Sequence, residues 1–194
     1  MDAPIKVIKN FIKKPEVKLL IDYIDYLETN HLDEFASDHG GKRLALQFGK
    51  ELNDYYDRWT HLNLDLVADK REVLQRYFSQ IIEEIQANFT VTDGLYPCVL
   101  WIAKQYPGAI VEVHQDTDYG KSMHIKYTGS LYLNTMTNGG ELYFEDFDYT
   151  YKPEAGDLVI FPSHEAGMHG VREINEVRYS ILLWMTDLDH LALS

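Results

Sequence analysis

Residues 110–119 read IVEVHQDTDY, with His114 and Asp116 two positions apart. Side chains on a strand alternate faces with period two, so Ile110, Glu112, His114 and Asp116 share one face, and Val111 and Val113 the other. An imidazole and a carboxylate on one face can grip a single small cation; they can equally form a solvated polar face. A third ligand distinguishes the two, and the later segment PSHEAGMHGV offers His164 and His169. His169 begins a β-like run, His-Gly-Val, while His164 stands in the preceding loop; a ligand held by a strand is better positioned, which selects His169. The single cysteine, Cys98, excludes an internal disulfide and a thiolate zinc cluster, leaving His and carboxylate ligands. Two histidines and a carboxylate on one face of an octahedron leave three positions open. That suits non-haem Fe(II) binding a bidentate organic acid and O2; zinc in a hydrolase is the rival.

Arg178 lies on the next predicted strand, in VRYSILLW, and Ser180 shares its face. A guanidinium fork beside a hydroxyl is well shaped for a carboxylate. The face 178, 180, 182, 184 reads Arg, Ser, Leu, Trp, and a buried Arg requires an anionic partner, either a side chain or a ligand. A zinc hydrolase would have no use for this fork and would need a general base, for which Glu112 is the candidate.

The elements that must hold these groups change character along the chain. The 194 residues, with 13% aromatic content and 14 tyrosines, are those of a globular protein with a β-rich core. A net charge of −13 makes nucleic acid a poor partner. The N-terminus has no apolar run of signal-peptide length and no window approaches a membrane span, so the expected location is cytosolic. Residues 1–95 form a helix-rich flank. From Pro15, Val17, Leu20, Ile21, Ile24 and Leu27 recur at helical spacing; from Asp65 the same period runs through Val73, Tyr77, Ile81 and Ile85. SDHGGKR, residues 37–43, reads as a mobile loop, and about 31–61 as a candidate lid with Gly40-Gly41 as hinge. Residues 96–186 hold eight short β-like runs, near 97–105, 109–115, 126–134, 140–145, 149–152, 157–161, 169–174 and 177–185. Such a series indicates a small barrel or jelly roll, mainly β, buttressed by the N-terminal helices as one domain over 1–194.

From about Pro97 to Thr186 the chain resembles the Fe(II)/2-oxoglutarate dioxygenases, most closely the prolyl 4-hydroxylase-like branch. The matching pieces, in order, are Gln105-Tyr-Pro-Gly, His114-Gln-Asp116, Leu131-Tyr-Leu-Asn, Gly139-Gly-Glu-Leu-Tyr-Phe, Lys152-Pro-Glu-Ala-Gly-Asp, Leu158-Val-Ile-Phe-Pro-Ser, His169-Gly-Val and Arg178-Tyr-Ser…Trp184. The resemblance implies a double-stranded β-helix core with His114, Asp116 and His169 on iron. It implies that Arg178 takes the distal carboxylate of 2-oxoglutarate, with Tyr106, Tyr132 and Ser180 in the cosubstrate pocket and Trp184 in the substrate pocket. The implied activity is hydroxylation of an unactivated C–H bond, most closely a prolyl residue in a peptide or protein, using O2 and 2-oxoglutarate, with ascorbate as reductant and release of succinate and CO2. Hydroxylation of a free amino acid or other small molecule on the same scaffold is the alternative, as is a non-catalytic metal-binding barrel.

Overall fold

A computed structural model of the protein describes residues 4–38, 41–49, 70–91, 94–117, 125–189 and 192–193. The helices among them are α1 (Lys14–Asn30) and α2 (Arg71–Asn88). The strands are β1 (Lys6–Ile8), β2 (Ala36–Asp38), β3 (Arg43–Gly49), β4 (Tyr96–Gln105), β5 (Val111–His114), β6 (Ile125–Tyr132), β7 (Leu142–Phe144), β8 (Tyr149–Tyr151), β9 (Leu158–Pro162), β10 (His169–Val171) and β11 (Arg178–Thr186). They pair as a seven-stranded sheet, β1-β9-β6-β11-β4-β3-β2, and a four-stranded sheet, β5-β10-β7-β8. This is a jelly roll with flanking helices, the mainly β fold expected from the sequence.

α1 forms where apolar residues recur at helical spacing, with Pro15 in the first turn and the Lys13 amide donating to the Glu16 carboxylate (3.1 Å) at its start. Its buried face is Val17, Leu20, Tyr23, Ile24 and Leu27; that of α2 is Leu74, Tyr77, Ile81 and Ile85. Both faces share one hydrophobic cluster with Ile181, Leu183 and Met185 of β11 and Leu158 and Ile160 of β9. The odd-numbered side chains of β11 therefore pack on the helices. By strand alternation the even ones, Arg178, Ser180, Leu182 and Trp184, face the other way, into the roll. The roll's interior is a second cluster, including Tyr132, Phe144, Val159, Phe161 and Val171. Each fully buried Leu or Ile stabilises the fold by about 1.5–3 kcal/mol.

Polar contacts fix α1 to the sheet. Lys104 on β4 is 8% exposed, and its ammonium pairs with Asp25 (2.7 Å) and Glu28 (2.6 Å) of α1. The Tyr179 hydroxyl donates to Asp25 (2.9 Å) and the Tyr106 hydroxyl to Glu28. A buried ammonium is tolerable only with such partners. Burial opposes its charge, but the two carboxylates outweigh burial and raise its pKa.

Two expectations are revised. Residues 36–38 and 43–49, read as part of a mobile loop and lid, are strands β2 and β3 on the edge of β4. Leu44, Leu46 and Phe48 alternate onto the helix side, in the cluster that holds the buried faces of α1 and α2, and Gly41 adopts the left-handed conformation (φ 87°) that turns the chain between the strands. Residues 39–40 and 50–61 of the candidate lid lie outside the described residues, as do 65–69 of the second predicted helix.

Candidate active site

β10 pairs antiparallel with β5 in a register that sets His169 opposite His114, with ring centroids 4.4 Å apart. β5 stops at His114, and Asp116 sits in the turn that follows. The shared-face reading of 110–116 is thereby corrected: Ile110 and Glu112 are exposed, whereas the turn carries Asp116 into the interior, 5% exposed. Asp116 Oδ1 lies 3.3 Å from His114 Nε2 and 3.9 Å from His169 Nε2. One donor atom from each of the three residues falls within 4.8 Å of the others. His164 is exposed and takes no part. His124 lies outside the described residues.

Each donor is oriented from behind. His114 Nδ1 contacts the Glu112 carbonyl (2.9 Å) and His169 Nδ1 the Gly167 carbonyl (2.8 Å). A carbonyl only accepts, so both Nδ1 atoms carry the proton and both Nε2 lone pairs point into the cluster, as metal-ligating histidines require. Gly167 is needed where it is: a Cβ there would meet the Pro162 carbonyl at 1.7 Å. The Thr128 hydroxyl donates to Asp116 Oδ2 and therefore accepts from Ser163 (2.7 Å between oxygens); both hydroxyl residues are fully buried. Phe144 and Phe161 pack on the His169 ring, with centroids at 5.8 and 4.6 Å.

The charges agree with this geometry. Burial opposes ionisation of Asp116, but His169, His114 and the Thr128 hydroxyl hold its pKa down at about 2. Burial also opposes a charged His114; the Asp116 carboxylate outweighs it and raises the imidazole's pKa. Burial lowers that of His169. A carboxylate ionised at neutral pH and two imidazoles with converging Nε2 atoms are the donor set that a divalent first-row metal takes, so the residues fit Fe(II).

A second group of polar atoms lies on the inner face of the large sheet. Arg178 is 4% exposed, with Nη1 donating to Gln105 Oε1. Its guanidinium stands 5.0 Å from the Tyr132 ring centre, and β6 and β11 pair Tyr132 with Ser180. Arg178 Nε, Tyr132 Oη and Ser180 Oγ are buried with no hydrogen-bond partner among the described residues. Each such group costs about 1–3 kcal/mol, so three together mark a ligand subsite. A cation with two hydroxyls fits a carboxylate, and hence one end of 2-oxoglutarate. Arg178 is near enough to the triad for its charge to oppose protonation of His169.

Tyr106, expected in this pocket, is not brought to it. Gln105 occupies the inward position of β4, so the next residue turns to the helix side, where the Tyr106 hydroxyl is bound by Glu28. Trp184 faces inward, in edge contact with Trp101 (4.8 Å), and its Nε1 is buried without a partner among the described residues. Glu112, the base a zinc hydrolase would need, is exposed and outside the donor cluster. Sequence reasoning missed Gln105, Thr128, Ser163 and Trp101. Alternation along β4, with Gln105 two and four positions from Ala103 and Trp101, was the available signal for two of them.

Residues 100–186 match the model of the 2OG-Fe(II) oxygenase superfamily. No curated protein matches the sequence significantly. Among solved structures, the chain is similar to the viral collagen prolyl hydroxylase of Paramecium Bursaria Chlorella virus-1 in its 2OG complex, at 15% identity and TM-score 0.68, over 95% of this chain and 97% of that one. It is similar to a prolyl-4-hydroxylase of Pseudomonas putida at 18% identity and TM-score 0.67, over 96% and 94% of the two chains. A Trichoplax adhaerens prolyl hydroxylase, in complex with a hypoxia inducible factor oxygen degradation domain peptide fragment, is similar at 18% identity and TM-score 0.64, over 95% and 84%. At these identities the likeness is one of fold.

Proposed function

We propose that this chain, whose residues 100–186 match the model of the 2OG-Fe(II) oxygenase superfamily, is a 2-oxoglutarate-dependent hydroxylase acting on a prolyl residue of a peptide or protein. The observation that carries the reading is the pairing of two subsites: a buried His114–Asp116–His169 donor cluster, and a buried Arg178 beside the unpartnered hydroxyls of Tyr132 and Ser180. His114, Asp116 and His169 would hold Fe(II), their donor atoms lying within 4.8 Å of one another. When bound, the iron with O2 and 2-oxoglutarate supplies oxidation of a C–H bond coupled to release of succinate and CO2.

The chain's own residues bind, orient and exclude. Arg178 binds the distal carboxylate of 2-oxoglutarate, and Gln105 holds the guanidinium fork in one orientation. Tyr132 and Ser180 donate their hydroxyl protons to the same carboxylate. Thr128, supported by Ser163, keeps Asp116 ionised and turned toward the histidines. Phe144 and Phe161 keep water from the His169 side of the centre.

Two lines support a prolyl substrate: the ordered motifs from Gln105-Tyr-Pro-Gly to Arg178-Tyr-Ser, and the prolyl hydroxylases among the similar folds, one of them holding a peptide. We read 1–194 as one domain, since α1, α2 and the large sheet share one core. The test is succinate formation from 2-oxoglutarate with Fe(II) and ascorbate, with and without prolyl peptides, alongside mass spectrometry for a 16 Da gain. Turnover stimulated by a prolyl peptide is the expected result. Zn-supported hydrolysis with no 2-oxoglutarate turnover would move the assignment to a hydrolase.

A further inference from the structure

Gln105 and Arg178, which form the carboxylate fork, both sit where their strands stop. Gln105 is the last residue of β4, and Arg178 is the first of β11. Strand ends fray and open more readily than the middle of a sheet. A guanidinium that receives a carboxylate must nevertheless be held in one plane. The ladder alone does not hold these two ends; their neighbours in the chain are bound from outside it.

Lys104 and Tyr106 lie on either side of Gln105, and both side chains turn to the opposite face of the sheet, onto α1. One carboxylate takes both: Glu28 Oε2 accepts from Lys104 Nζ (2.6 Å) and Oε1 from the Tyr106 hydroxyl. Asp25, three residues earlier on the same face of α1, joins the second strand: its Oδ1 accepts from Lys104 (2.7 Å) and from the hydroxyl of Tyr179 (2.9 Å), the residue after Arg178. The ammonium also stands 5.5 Å from the Tyr106 ring centre and 5.2 Å from that of Tyr179. Asn134 completes the clamp, its Nδ2 donating to the Val177 carbonyl (2.8 Å) and its Oδ1 accepting from the Tyr179 amide (2.8 Å). All four chain neighbours of the fork, residues 104 and 106 on one strand and 177 and 179 on the other, are therefore bound. Stability does not account for this choice of residues. An ammonium taken out of water between two carboxylates stabilises a fold little more than apolar side chains of the same volume, whereas it fixes its partners in one geometry.

We propose that Glu28 of α1, with Asp25 beside it, is a positioning residue for 2-oxoglutarate: by holding Lys104 and Tyr106 it fixes Gln105 between them, and through Gln105 it fixes the plane of the Arg178 guanidinium. Glu28 lies across the sheet from the cosubstrate and never touches it. Its effect is confined to the distal carboxylate, because that is the group the fork receives. This deepens the hydroxylase reading and rests on it.

The test reads dissociation constants by titration calorimetry under nitrogen, using the full chain loaded with Fe(II). Two ligands are compared: 2-oxoglutarate, and 2-oxopentanoate, which keeps the 2-oxo acid but ends in a methyl group in place of the distal carboxylate. The wild type prefers 2-oxoglutarate by about 100-fold. Glu28→Ala lowers that preference about tenfold, while 2-oxopentanoate, and Co(II) titrated into the metal-free protein, bind within about twofold of wild type. Glu28→Gln, which keeps one acceptor, and Tyr106→Phe, which keeps the ring, lower the preference by a few fold; they carry the test if circular dichroism shows Glu28→Ala unfolded. A cycle with Gln105→Leu tests the route: once Gln105 is replaced, Glu28→Ala lowers the preference little further. A preference that the folded variants leave intact, an equal loss for both ligands, or full additivity with Gln105→Leu overturns the proposal. A wild type that binds the two ligands alike defeats the assignment of Arg178 to 2-oxoglutarate, and this proposal with it. A wild-type preference that survives in the variants defeats this proposal alone.

Discussion

Gln105 is a neutral side chain, 3% exposed, whose carbonyl oxygen accepts from a guanidinium that is 4% exposed. Replacing it in two ways separates its roles. Gln105→Leu removes the acceptor and leaves a charged donor buried, costing about 1.5–3 kcal/mol for a hydrogen bond to a charged group. At roughly 2–4 °C per kcal/mol for a domain of this size, the melting temperature falls by about 3–12 °C. The guanidinium also loses the contact that fixes its plane, and 2-oxoglutarate binds about tenfold more weakly. Gln105→Glu keeps the shape and adds a charge. The new carboxylate pairs with Arg178, so the melting temperature stays near that of the wild type, but it competes with the ligand's own carboxylate. Affinity for 2-oxoglutarate should then fall about 100-fold, a loss near 3 kcal/mol. The assays are differential scanning fluorimetry and anaerobic titration of 2-oxoglutarate into the Fe(II) protein. Wild-type affinity in Gln105→Glu would refute the assignment of Arg178 to the ligand. An unchanged melting temperature in Gln105→Leu would show that the guanidinium is not held as described.

Thr128→Val removes the hydroxyl that orients Asp116 and should weaken metal binding 10- to 100-fold, read by the absorption of Co(II) titrated into the protein; an unchanged affinity would mean that Asp116 needs no such support. Protons compete with the metal for His114, whose pKa is raised above its ordinary 6.5, so Co(II) affinity should fall as pH drops from 8 through the neutral range; a flat profile between pH 8 and 6 counts against the site. In the metal-free protein the sign is opposite. The pair of charged His114 with Asp116 contributes stability that is full below pH 6.5 and is lost as pH rises through the raised folded pKa, which denaturant titrations at pH 6 and 8 would measure. Asp157, 2% exposed, accepts from the Asn10 amide (2.9 Å) and the Tyr151 hydroxyl (2.8 Å) and pairs with Lys9 (2.8 Å). Asp157→Ala therefore unpins the β1 segment from the core and should cost about 3 kcal/mol in urea unfolding; a loss below about 1 kcal/mol would show that these contacts add little.

Much of this protein is readable along the chain, because local patterns are set by local geometry. Helical spacing marked the buried faces of α1 and α2, and period two marked the eight strands from β4 to β11. Residue chemistry offered His114, Asp116 and His169 as metal donors and Arg178 with Ser180 as a carboxylate fork, and the family resemblance of the ordered motifs selected that reading over a solvated polar face. Pattern could not show that β5 ends at His114, so that a turn and not a strand face delivers Asp116. Nor could it show that Tyr106 faces α1 while Gln105 meets Arg178, or that Ser163 supports Thr128 behind the carboxylate. β3 was hidden inside a polar stretch, and with it the place of Arg43 over Trp101. These are pairings between residues far apart in sequence. They depend on where each strand stops and on the register in which it meets its neighbour, and burial across the whole molecule settles both.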